Sequence, residues 1–138
     1  MAGYSGTPLP QKLGIKEGMT VGILNSPDSF KPTLGRLPPD VEVHHEMTGS
    51  NIFIVFGKWA DELEESFHRA TAHLPPDGAI WVAWPKRSSG VETDITEDTL
   101  RDLFLPTGMV DNKVCAIDET WSGLRFVVRK ENRATWPG

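Results

Sequence analysis

At 138 residues, with 38% hydrophobic and 24% charged side chains, the chain has the length and apolar content of one globular domain. Fourteen Lys and Arg against nineteen Asp and Glu give a formal charge of −5, which excludes a general affinity for nucleic acid or an anionic membrane but allows a local basic patch. A single cysteine excludes an internal disulfide and a multi-cysteine metal site. With no charged-then-apolar leader and no run of apolar residues long enough to span a bilayer, the expectation is a cytoplasmic protein.

The opening "MAGYSGTPLPQKLGI" is rich in Gly, Pro, Ser and Thr, so residues 1–18 read as an irregular arm. Within it "PQKLG" has the makings of one helical turn, and Leu9, Leu13 and Ile15 offer apolar anchors. "TVGILN" (20–25) is a short apolar run between turn-forming residues, as a strand covered on both faces requires. Ser26 can cap a helix starting at Pro27, which Pro32 and Gly35 keep short or kinked. "VEVHHE" (41–46) alternates, which suits a strand nearer the edge, and "NIFIVFG" (51–57) is a second buried strand. From 58 to 74 the positions Trp59, Leu63, Phe67, Ala70 and Leu74 form a helical stripe, with acids in the first half and His68, Arg69 and His73 in the second. "PPDG" stops that helix and "AIWVAWP" (79–85) is a third buried strand. Thr96 caps a further helix, which carries Leu100, Leu103 and Phe104 on one face until Pro106 ends it. "KVCAID" (113–118) and "LRFVVRK" (124–130) read as strands joined by an "ETWSG" hairpin loop with a closing glycine. Residues 131–138 read as a flexible tail. This alternation predicts a single α/β domain over 1–130, three-layered, with a mostly parallel sheet ending in an antiparallel hairpin.

Residues 51–130 resemble the second half of a class I S-adenosylmethionine-dependent methyltransferase, through "NIFIVFG", "HLPPDGAIWVAWP" and "GMVDNKVCAIDETWSGLRFVVRK". The whole chain is similar to a small bacterial family of unassigned activity, through "GYSGTPLPQKLGI", "WVAWPK" and "DETWSGLR". The likeness implies a reduced Rossmann-type, methyltransferase-like core, in which the last strand lies between 79–85 and 113–118. One feature departs from it. A cofactor loop after the first strand wants glycines so that the backbone can approach the ligand, yet "LNSPDSFKPTL" has none between Gly22 and Gly35. S-adenosylmethionine is therefore expected to bind weakly or not at all, and no cofactor is expected. Glu46 does stand about twenty residues beyond that turn, where an acid would grip ribose hydroxyls.

The remaining chemical candidates are few. Cys115 sits inside a strand and reads as a small buried side chain. His44 and His45 point to opposite faces of a strand and cannot share an ion; Glu42, His44 and Glu46 share a face but lack a fourth ligand, so no metal site is expected. His68 and His73 do not converge. "KRSSG" (86–90) sets two cations before hydroxyls and a glycine, a pattern that suits a phosphate or carboxylate. Ligands of parallel sheets bind beyond the carboxyl ends of the strands, which gathers the candidate ligand-binding residues Asn25, Glu46, Lys58, Trp84, Lys86, Arg87, Ser88, Asp118, Trp121 and Arg125. No catalytic residue is singled out. Without the glycine loop the sequence favours a non-catalytic binding or regulatory domain. Two alternatives stay open. One is an enzyme or sensor for a nucleotide-like or anionic small molecule at this rim, with Lys86, Arg87 and Arg125 on the anion, Trp84 and Trp121 stacking, and Asp118 or Glu119 as base. The other is a protein-interaction adaptor using the arm or the Trp136 tail. The expected partner is thus a small anionic ligand or a protein, with the oligomeric state not legible.

Overall fold

The computed structural model describes residues 7–137; the first six residues of the expected arm lie outside them. Six strands form one sheet: β1 (Thr20–Leu24), β2 (Glu42–His44), β3 (Ile52–Phe56), β4 (Ala79–Pro85), β5 (Met109–Ala116) and β6 (Trp121–Val128), in the order β2-β1-β3-β4-β6-β5. The first four are mutually parallel, and β6 runs antiparallel between β4 and β5. Every residue of β3 and β4 is buried, which is why both read as unbroken apolar runs. Edge strand β2 is short, with Glu42 in solvent.

Both faces are covered. On one, α3 (Ala60–Thr71) and α4 (Glu97–Phe104) press Leu63, Phe67, Leu100 and Phe104 onto the sheet. Phe67 stacks on Phe104 at 3.8 Å, and Phe126 of β6 meets both edge-on. Thr96 caps α4 in a reciprocal box with Thr99, as its sequence predicts. The other face has only the short helices α1 (Leu9–Lys12) and α2 (Phe30–Leu34), so the arm completes the cover. Leu13 and Ile15 are buried there, and the Leu13 carbonyl accepts the indole N–H of the fully buried Trp81 at 2.9 Å. No helix among the described residues is long and apolar enough to cross a membrane.

Four local expectations are corrected. The helix after β1 begins at Phe30, not Pro27, and Ser26 does not cap it; residues 27–30 make a turn closed by Phe30 N–H to the Pro27 carbonyl. Trp59 is not part of the buried stripe: it stands at the N-cap of α3, 38% exposed. The hairpin turn is 117–120, earlier than "ETWSG", and Gly123 lies inside β6, where the Trp81 ring leaves 3.1 Å to an added Cβ. The tail docks: Lys130–Thr135 forms a 3₁₀ segment, and the Trp136 indole donates to the Leu74 carbonyl at 3.0 Å.

Candidate functional site

Register decides what the expected rim cluster can do. Trp84 lies opposite Ser122, and Pro85 opposite Trp121. The two indoles therefore reach the same end of the sheet but emerge on opposite faces. Trp84 packs among the residues under α3 and α4, while Trp121 meets Phe56 edge-on at 5.2 Å on the other side. They cannot sandwich one ligand, and both are largely buried. Arg125 lies opposite Trp81, about 13 Å down the strand from Trp121 at ~3.3 Å per residue; it does not join Lys86 and Arg87. Asp118 is engaged as well: one carboxylate oxygen accepts the backbone N–H groups of Thr120 and Trp121, each at 2.8 Å, and so closes the hairpin.

The "KRSSG" segment folds as a 3₁₀ turn, Arg87–Ser89, closed by left-handed Gly90. Ser89 bonds back to the Lys86 carbonyl through both its amide and its hydroxyl, and Ser88 is exposed. Lys86 and Arg87 line an open cleft of about 680 Å³, whose far wall brings Glu92, Asp94 and Glu97. Acids thus outnumber cations, a poor match for a simple anion. Lys58 is exposed, and its loop is tied to this wall: Thr93 donates to the Lys58 carbonyl, and Asp94 accepts the Ala60 amide at 2.8 Å.

A second, more enclosed cleft of about 420 Å³ opens on the other face, at the carboxyl ends of β1 and β2. Its floor is Ile23, Phe30, Leu34, Leu37 and Val43; its polar mouth is Ser26, Asp28, Lys31 and His45. The chain enters it through Asn25, whose φ of 59° is left-handed. Asparagine tolerates that region, so the sharp turn after the first strand exists without glycine. His45 Nδ1 lies 3.2 Å from the Ile23 carbonyl; since that oxygen only accepts, Nδ1 carries the proton and Nε2 is the free acceptor whenever the ring is neutral. Glu46 is exposed, one residue beyond the lining.

The clefts thus divide the expected residues. Trp84, Lys86 and Arg87 line one, Asn25 leads into the other, and Asp118, Trp121 and Arg125 line neither. His45, Asp28 and Lys31 did not stand out as ligand-binding candidates. The available signal was position: each follows a strand end, and Phe30 and Leu34 are four apart above them.

Comparison with known proteins follows this geometry. No family profile matches the chain, and no curated protein matches it in sequence. A structure assigned as a type 11 methyltransferase from Sulfolobus solfataricus superposes with a TM-score of 0.62 at 12% identity, over 88% of this chain and 90% of that one. The complex of DhpI with SAH gives 0.60 at 10% identity, over 89% and 83%. A SAM-dependent methyltransferase from Aquifex aeolicus gives 0.56 at 14%, over 86% and 87%. The fold is a reduced methyltransferase-like α/β fold. These neighbours overturn the expectation of a non-catalytic binding or regulatory domain: the fold is shared, over nearly the whole chain, with methyltransferases and with a protein that holds SAH. The enzyme alternative accords with them.

Proposed function

We propose that the chain is a small cytoplasmic enzyme of the methyltransferase type, which takes S-adenosylmethionine, a nucleoside with an amino-acid tail, in the cleft at the ends of β1 and β2. The observation that carries this reading is the left-handed turn at Asn25 leading into a cleft of about 420 Å³ with an apolar floor and a polar mouth. The volume and the mix of lining fall in the range of small-molecule sites. Sequence alone argued against the cofactor for want of glycine; Asn25 adopts the left-handed turn that glycine would supply, and the cleft beyond it offers the ligand side chains rather than close backbone.

The lining fits the ligand group by group. Ile23, Leu37 and Val43 suit the flat apolar faces of an adenine, and Asp28 and Ser26 are acceptors of the kind that ribose hydroxyls need. Lys31 supplies a positive charge for a carboxylate. When bound, S-adenosylmethionine supplies an electrophilic methyl group on its sulfonium. This chain's residues hold the ligand and exclude water from its apolar half.

Calorimetric titration with S-adenosylmethionine and with SAH tests the reading. Saturable binding is expected in the wild type and in Asn25→Gly, because glycine adopts the same turn without strain. It should be lost in Val43→Trp, which fills the cleft from an edge strand. Absence of binding to the wild type at millimolar ligand, or equal binding by Val43→Trp, would sink it.

A further inference from the structure

We propose that a groove between the arm and the loop after α2 is a site for an alkyl carboxylate, a ligand with an apolar body and one anionic head. The groove encloses about 710 Å³ between arm residues 8–16 on one side and residues 33–38 on the other, a size within the range of small-molecule sites. Among its lining residues Pro10, Ile15 and Leu34 are buried, and Leu9 and Leu37 are half-buried beside them. An alkyl chain laid over these side chains leaves water at little cost to any polar group. The groove backs onto the β1–β2 cleft, since Leu34, Gly35 and Leu37 line both. Its charged groups, however, are its own.

Lys16 belongs to the arm wall and Arg36 to the wall opposite, so the two cations border one space from either side. No acid lines the groove, and Glu17, next along the chain, stays outside it. Both cations are exposed, and among the described residues neither is in an ion pair, although the chain carries a net charge of −5. Two cations without a carboxylate, above an apolar floor, complement an amphiphile whose head is negative. The backbone contributes little to such a ligand. The amides of Gly14, Ile15, Lys16 and Gly35 are already bonded within the chain, and Pro8, Pro10 and Pro38 have none to offer. A peptide laid here would bring amides and carbonyls that need partners of their own, which favours an alkyl chain. The space beside each cation is open: Gly14 and Gly35 are left-handed, at φ 79° and 73°, and a Cβ on either would meet nothing within 4 Å.

The test is calorimetric titration and amide NMR of the full chain with decanoate, decylammonium and acetate, each below any micelle-forming concentration. Decanoate is expected to bind saturably at one site, with shifts at Gly14, Ile15, Lys16 and Arg36, which line the groove and not the β1–β2 cleft. Decylammonium has the same chain, and the net charge would favour it at any unspecific surface; it should nevertheless bind about tenfold more weakly. Acetate lacks the apolar body and should not bind. Lys16→Gln and Arg36→Gln, both at exposed positions, should each weaken decanoate binding about tenfold, the loss of one hydrogen bond to a charged group. Decanoate bound no better than decylammonium or acetate, an affinity unchanged in both variants, or shifts confined to Ser26, Asp28 and His45 would overturn the proposal. So would tighter binding of an acidic peptide, or groove shifts that grow with protein concentration alone and so make a second copy of the chain the occupant.

Discussion

Single residues show where one-dimensional reading stops. The burial of Cys115 is legible from its place in an apolar strand, and the thiol is 6% exposed. Burial raises its pKa, and Lys12 and Lys113 oppose that only in part. The folded state thus holds the thiol proton at pH values where the unfolded chain has released it, above about pH 8.5. Fewer protons on the unfolded chain mean that stability falls as pH rises through that window. Cys115→Ala is expected to flatten the alkaline limb of a stability–pH profile, and native Cys115 to react slowly with a thiol reagent that labels the denatured chain at once. An unchanged limb together with fast native labelling would show an exposed, ionised thiol. By contrast, Gly123 reads as a turn residue when it is really a space for the Trp81 ring. Trp81 lies forty-two positions earlier in the chain, so no local pattern could reveal the contact.

Elements were legible where they are long and periodic. The stripe of α3 and the cap of α4 follow from local spacing, because helix burial and capping are local properties. The start of β6 was not legible, since "TWSG" resembles a loop and only pairing with β4 makes it a strand. The arm lies between these cases: Leu13 and Ile15 announce that it is buried, but not where. It stands in for a helix over Trp81, and its carbonyl at Leu13 has the indole as its partner. Trp81→Phe keeps most of the apolar volume while leaving that carbonyl unpaired, which costs about 1–3 kcal/mol. Truncation through Ile15 also uncovers the apolar face, so urea midpoints should fall in the order wild type, Trp81→Phe, truncated chain. A truncated chain as stable as the wild type would mean that the arm does not cover the sheet.

For the whole molecule, alternating apolar runs predicted the mostly parallel sheet, while the place of the last strand came only from the methyltransferase likeness, and the order β2-β1-β3-β4-β6-β5 has β6 between β4 and β5 as that likeness implies. What the order leaves open is the face on which each side chain emerges, a one-residue question. That is why the expected rim cluster divides into clefts on opposite faces. The division can be measured by hydrogen exchange with SAH. A ligand at a hundred times its dissociation constant adds about 2.7 kcal/mol of global stability, so amides that exchange only by global unfolding slow equally wherever the ligand sits. Loop amides exchange by local opening and report contact instead. Those of residues 26–31 belong to a short turn and the first turn of α2, and they should gain protection together with residue 45. Residues 86–95, around the other cleft, should gain none. Protection over 86–95 with none over 26–31 would put the ligand beside Trp84, on the face away from Asn25, and the β1–β2 cleft would then have no part in binding it.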